Sequence, residues 1–520
     1  MPILNNHQPF SKKILVVAVL AALQTGCALT PSALTQQERS SQIGADQQVL
    51  FDQQEPVSEP LTVYQAMSRA LKYNLDHRVK LMEKAVAEGQ STMAKFDLLP
   101  ELVASAGYAN RNNLNASSSS DAFTGLESLR TSTSQNRSRY MGDLNLRWNI
   151  LDFGVSYFRA QQEGNKFLIT DENRRKVSHN LIKDVRTAYW RALSAQRMVD
   201  TIQPVLLEAQ HALALAKQAE DEKLQSPLTA LRYRKNLLEI VRKLEVLLEQ
   251  QQMAKAELAG LINLPPNQAY RLADDQVNAW PMVAKPDLSL DTMDEMALQL
   301  RPELRQEMYQ TRISADEVKK AMLRLLPGVE LNLGTNYDSN SYLLNNSWAD
   351  FGAQMSKNLF EILSAPQAIA TAESQKSLAD AKRLAAYMAI LTQVRLAKQQ
   401  FDLADNQFKR ASELDDVSQQ INHHAINSET VKAMSSLERV RTSVDTLLAQ
   451  LQRNQAYAES QDALGKLYVS LGLDPIPAKV DDDSVNGLAH AIETVETNWR
   501  RGEFAKSSST LSLSSNQSGN

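Results

Sequence analysis

Polar and apolar residues alternate along four short stretches of a chain that is otherwise patterned for helices. In "DLNLRWNI" (143–150), Leu144, Leu146, Trp148 and Ile150 fall on one face and Asp143, Asn145, Arg147 and Asn149 on the other, a period of two that predicts a β-strand. In "VELNLGTNY" (329–337), Val329, Leu331, Leu333, Thr335 and Tyr337 oppose Glu330, Asn332, Gly334 and Asn336 in the same way. "LVASAGYAN" (102–110) and "FGAQMSKNL" (351–359) alternate more weakly. Long helices surround these strands. From about 155 to 225 no glycine follows Gly164, and Pro204 is the single internal breaker, which predicts a kink or local break there. Roughly 70 residues at about 1.5 Å each give a rod on the order of 100 Å. Its return partner carries Leu237, Val241, Leu244 and Leu248 in steps of four, three and four, the seam of a coiled coil, and Leu437, Val440, Val444, Leu447 and Leu451 repeat it later.

The chain is written twice. At a shift of 227 positions Leu61 meets Leu288, Ala70 meets Ala297, Arg78 meets Arg305, and "LLP" at 98–100 meets "LLP" at 325–327. The shift then becomes 209: "WNILDFG" (148–154) lies over "KNLFEIL" (357–363), Ser226 over Ser435, and Leu264 and Pro266 over Leu473 and Pro475. The first half therefore carries one insertion of 18 residues, inside the polar "NNLNASSSSDAFTGLESLRTSTSQNRS". Each half reads as helix, strand, loop, strand, very long helix, turn, helix.

Four strands in two widely separated hairpins make a poor soluble sheet. Their length of about nine to eleven residues crosses a bilayer when tilted. Inside lipid every strand edge must be paired, and the smallest closed barrels need about eight strands. Four strands cannot close alone, so the chain must oligomerise, with apolar residues toward lipid and the polar set lining a wet lumen.

Composition narrows this further. The net charge of −4 with interspersed charges argues against a nucleic-acid binder. Lys12 and Lys13 precede the apolar run "ILVVAVLAAL" and small residues that end at Cys27, the only cysteine, which predicts a secretory signal over 1–26. Two readings of Cys27 are an inert or free thiol and a lipid-attachment site at a processed N-terminus; Gly26 matches a bacterial lipobox, whereas Gln24 stands where leucine is usual. No later apolar run is long enough for a transmembrane helix.

On these residues the chain resembles the TolC-like outer-membrane factors, the exit channels of Gram-negative efflux pumps and type I secretion systems. The resemblance spans nearly all of 58–477 and rests on the duplicated order, the "LLP" entry to each first strand and the "WNILDFG" exit from the second. It implies a mainly α fold with a transmembrane β-barrel portion: a homotrimer whose twelve strands form an outer-membrane barrel on a twelve-helix coiled-coil α-barrel crossing the periplasm. It also implies a passive, non-enzymatic conduit without cofactor, gated at its periplasmic tip, lipid-anchored through Cys27. Its partners are outer-membrane lipid, a periplasmic adaptor (membrane fusion) protein and an inner-membrane transporter, with no nucleic acid. The alternative is a periplasmic coiled-coil scaffold lipoprotein without channel activity. The expected domains are the signal peptide (1–26), a lipid-anchored extended segment (27–57), the first repeat (58–270), a linker (271–287), the second repeat (288–477) and a C-terminal equatorial or disordered tail (478–520).

The resemblance places the gate at the helix-to-helix turns, "AEDEKLQSPLT" (219–229) and "NSETVKAMSSLE" (427–438). Ser226 and Pro227 form an N-cap and first-turn pair. With Thr229, Ser435 and Glu438 they are the expected adaptor contacts. Family members carry glycine three residues before each serine and aspartate three after; this chain has Lys223 and Lys432, then Thr229 and Glu438. Glu220, Asp221, Glu222, Asp415, Asp416 and Glu429 are candidates for acidic rings that favour cations, against a bland reading as solvated outer charges. His423 and His424 diverge on a helix and present no metal pair, and no catalytic motif is found.

Overall fold

A computed structural model describes residues 32–51, 54–57, 60–127, 130–222, 226–265, 268–274, 280, 283, 288–430, 436–477, 480 and 482–504. Cys27, the expected signal, Ser435 and the last sixteen residues lie outside them. The chain divides after Pro56 into two units. The first contains α1 (Gln36–Phe51), where an extended segment was expected. A reciprocal cap starts this helix: Glu38 N–H donates to Thr35 Oγ1 at 3.2 Å and Thr35 N–H to Glu38 Oε2 at 2.8 Å.

The second unit repeats itself element by element. Its first half runs α2 (Val63–Tyr73), α3 (Leu75–Phe96), β1 (Glu101–Asn110), β2 (Ala116–Ser117), β3 (Ser132–Thr133), β4 (Ser138–Asn149), α4 (Ile150–Asp221) and α5 (Pro227–Leu261). The second half runs α6 (Leu290–Leu300), α7 (Pro302–Leu323), β5 (Gly328–Asp338), β6 (Ser347–Ser356), α8 (Leu359–Thr430) and α9 (Ser436–Leu471), and α10 (Val485–Arg500) follows. The weak fourth stretch is a strand starting four residues before the expected Phe351 and ending at Ser356, because Asn358 already turns the chain into α8.

The stop and start signals obey the repeat. Thr62 and Ser289, 227 residues apart, cap α2 and α6 by accepting from Gln65 N–H and Thr292 N–H at 3.2 Å each. Asn149 Oδ1 takes Leu151 N–H at 3.0 Å and Asn358 Oδ1 takes Phe360 N–H at 3.1 Å, so strand passes into long helix through one asparagine in each half. At the far ends Asn263 (φ 54°) and Gly472 (φ 71°), 209 apart, adopt the left-handed conformation that closes α5 and α9. A side chain at Gly472 would meet Arg301 N at 2.7 Å, so glycine is required there for approach as well as for φ.

α4 and α8 are each 72 residues long, about 110 Å of helix. Pro204 lies within a continuous α4; the expected break is absent, and Pro366 is likewise accommodated in α8. α4 pairs with α5, α8 pairs with α9, and α3 and α7 lie along the upper parts of α4 and α8. One apolar cluster joins Ile202 and Leu206 of α4, Val241, Leu244 and Leu247 of α5, and Val440, Val444, Leu447 and Leu451 of α9. The α5 seam thus steps from Leu244 to the buried Leu247; Leu248 is only half-buried against the cluster. Two further cores sit midway along the rods. One joins α2, α4, α5 and α10; the other joins α6, α8, α9 and Trp499.

Candidate functional site

The sheet of the second unit has the order β1-β4-β5-β6 and is antiparallel throughout. Register fixes its faces. Leu102, Leu146 and Leu333 lie in one row and Leu144, Thr335 and Ala349 in the next, giving a side with Tyr108, Tyr140, Trp148, Tyr337, Phe351 and Met355. Nothing among the described residues covers this side: Phe351 is 72% and Met355 69% exposed, and Leu102, Leu144 and Leu333 are exposed too. A soluble sheet hides its apolar face. The aromatic residues also sort by height: Tyr108 and Tyr140, with rings 5.0 Å apart, and Tyr337 sit at the loop end, while Trp148 packs edge-on to Phe153 at the helix end, 5.9 Å away. Two girdles around an apolar band are the pattern of a membrane-embedded barrel wall.

The opposite face carries Asp143, Asn145, Arg147, Glu330, Asn332, Asn336 and Asp350. Its side chains converge on Gly334, where a Cβ would lie 2.5 Å from Asn145 Oδ1 and 2.8 Å from Asp350 Oδ1, as on the inside of a curled sheet. Among the described residues no strand pairs with the outer edges of β1 or β6. These two edge strands run in opposite directions, so β6 of one copy can pair antiparallel with β1 of another, and any whole number of copies preserves the alternation. Below the free edges, α3 exposes Leu75, Val79, Met82, Val86 and Met93 and α8 exposes Leu359, Phe360 and Leu363. The α3 set steps by four, three, four and seven, a coiled-coil seam left without a partner among the described residues. No helix among the described residues is long and apolar enough to cross a membrane.

At the opposite end of the rods Ser226 caps α5 through Thr229 N–H, and Pro227 occupies its first turn. Glu220 pairs with Arg234 at 2.6 Å, and Glu222 accepts from Gln218 at 2.8 Å. Asp221 and Asp416 are exposed, as is Glu438. Glu429 lies in the last turn of α8. Asp415 differs from expectation: its exposure is 0%, and its carboxylate is held between α8 and α9 by Arg453 and by Gln419 at 2.9 Å. A carboxylate enclosed in this way cannot offer its charge to an open ring, and its neighbour Asp416 faces water instead.

Midway up the rods the two repeats are joined by a linker and by charge. Arg197 of α4 grips Asp274 with two nitrogens and lies 4.2 Å from the centre of the Trp280 ring, whose Nε1–H donates to Asn454 at 3.0 Å. Asp474 takes His179 and Arg175, the latter at 2.7 Å, while Glu172 bridges Arg175 and Arg305. Burial pushes the Asp474 carboxyl up from its ordinary value of 3.8, but His179 and Arg175 outweigh it and bring the group down to about 2. A depressed acid stabilises the fold above its unfolded pKa and loses that contribution as pH falls toward the folded one. Asp474 is 32% exposed. Allowing for solvent screening, we expect about 1–2 kcal/mol to disappear between pH 4 and pH 2. Denaturant titrations should show Asp474→Asn losing stability relative to the parent at pH 6 and converging on it near pH 2; a constant gap would contradict the assignment.

An open antiparallel sheet with an uncovered apolar face, continued by paired helices of 72 residues, defines the fold of the outer-membrane efflux channels. Residues 66–264 match the family model described as outer membrane efflux protein. The outer-membrane channel OprN aligns with TM-score 0.60 and 17% identity over 79% of this chain and 89% of its own. The CmeC outer membrane channel of Campylobacter jejuni aligns with TM-score 0.62 and 15% identity over 79% and 85%. The open state of the Neisseria gonorrhoeae MtrE outer membrane channel aligns with TM-score 0.59 and 17% identity over 79% and 88%. A comparison with curated proteins finds no match. The chain is TolC-like in fold, as its duplicated pattern anticipated, and residues 66–264 are similar to the outer membrane efflux protein family.

Proposed function

We propose that three copies of the chain assemble into an outer-membrane channel, the exit duct of a tripartite efflux pump or a type I secretion system. The observation that carries this reading is the uncovered apolar face of an open sheet whose two edges are free and oppositely directed. Three protomers bring twelve strands to one ring. The seam on α3 then meets the exposed start of α8 in the next copy, so barrel and helical rods close along one continuous line. The polar face becomes the lumen wall, and substrate passes without any bond being made or broken by this subunit.

The turns at the foot of the rods form the periplasmic gate. Ser226, Pro227, Thr229, Ser435 and Glu438 meet a periplasmic adaptor, which couples the duct to an inner-membrane transporter. Asp221, Glu222 and Glu429 supply acidic rings there and Asp416 one about three turns higher, with Glu220 damped by Arg234. Cys27, after removal of 1–26, anchors the chain to the outer membrane by acylation.

The test is reconstitution of the purified full-length protein. A trimer that survives SDS, a stepwise conductance in planar bilayers, and a reversal potential less cation-selective in Asp416→Asn are expected. A monomer in detergent that leaves bilayers silent would overturn the channel, and a soluble elongated oligomer would favour the scaffold reading instead.

A further inference from the structure

One aromatic residue of the sheet is on the other side from the girdles. Trp348 is the second residue of β6, at the loop end, and register pairs it with Asn336 on the polar face. It is 46% exposed, and among the described residues it stacks on no other ring. A large apolar surface held out on a wet wall is unfavourable for folding and does not serve as a lipid anchor there.

Its surroundings suggest what it meets. The row that holds Trp348 and Asn336 continues to Asp143 on β4. One pleat toward the helices, Asn145, Gly334 and Asp350 form the next row. Each aspartate is oriented by an amide: Asn145 donates to Asp143 at 2.8 Å, and Asn336 donates to Asp350. Among the described residues neither carboxylate has an ion-pair partner. Gly334 is buried beneath them, and its lack of a side chain lets Asn145 and Asp350 close over the backbone, since a Cβ would lie 2.5 Å and 2.8 Å from their oxygens.

We propose that Trp348 is the contact on which the channel holds amphipathic aromatic cations as they cross the outer half of the barrel, with Asp350 and Asp143 supplying the attraction. The indole face binds a cation whose charge is spread over an apolar body, and the flanking carboxylates raise its local concentration. A small hydrated metal ion gains the Coulomb attraction but little from the ring. The chemical class is therefore an amphipathic aromatic cation, presented with three such surfaces around the lumen. This rests on the channel reading above.

The probe is tetraphenylphosphonium, added from the loop side to full-length channels in planar bilayers. Trp348→Ala is expected to raise the half-blocking concentration about three- to fivefold without moving the potassium-to-chloride reversal potential, and Trp348→Phe to restore most of the block. Asp143→Asn with Asp350→Asn is expected to raise the blocking concentration and also lower the cation preference. Conducting wild-type channels that ignore millimolar probe, or a Trp348→Ala channel blocked like the parent, would overturn this proposal alone. Absence of any wild-type conductance would instead remove the channel itself.

Discussion

Arg453→Met is expected to lower the unfolding free energy by about 3–5 kcal/mol, because it leaves the Asp415 carboxylate buried without its cation. Asp415 is fully enclosed between α8 and α9; one of its oxygens takes Arg453 and Gln419, and the other has no hydrogen-bond partner among the described residues. Methionine keeps much of the apolar stem of arginine and removes the charge, so the loss reads electrostatics rather than packing. Adding Asp415→Asn to the same chain should recover much of the stability, since an amide pays a far smaller desolvation penalty than an isolated anion. Denaturant unfolding followed by helix signal measures both. A loss under about 1 kcal/mol for Arg453→Met would place Asp415 in water, contrary to its position between the helices.

The second large effect separates two neighbours on β5. Leu333 is at the centre of the strand on the uncovered apolar face, and Asn332 is on the polar face beside it. In the proposed channel Leu333→Arg puts a guanidinium at mid-height in hydrocarbon, at about 2–4 kcal/mol per copy, and the cost falls on every protomer of the ring. Asn332→Arg adds the same charge to a wall already bearing Arg147 in the register-paired position. We expect the SDS-resistant oligomer to vanish from outer-membrane fractions for Leu333→Arg and to persist for Asn332→Arg. Equal tolerance of both would mean that the sheet does not meet lipid.

Much of this architecture is legible in the sequence because it is enforced locally. The alternation in β4 and β5 survives as written, since a strand with one apolar and one polar face must keep period two. The helix limits follow from capping residues that recur at fixed shifts, Asn149 with Asn358 and Thr62 with Ser289. β6 is less legible. Its water-facing row includes Trp348, which breaks the polar pattern at the position where the strand begins, and Lys357 and Asn358 extend the apparent alternation past its end.

Contacts between distant residues leave no such trace. The fate of Asp415 is decided by Arg453, 38 positions away, while Asp416 next to it has the same local sequence and the opposite exposure. The wedge of Trp280 against Arg197 and Asn454 is equally silent, because the linker that carries it has no periodicity. Leu247 displaces Leu248 from the α5 seam because the partner is two helices, α4 and α9, rather than one.

Asn149 and Asn358 each cap a long helix immediately after a strand, so in both halves the sheet passes into its rod without an intervening loop. In the proposed channel, any untwisting that dilates the far end would find no loop to act as a swivel at this level and would fall on the stalks themselves. In the proposed channel the width of the outward-facing aperture would for that reason be set at assembly, whatever the inner end does.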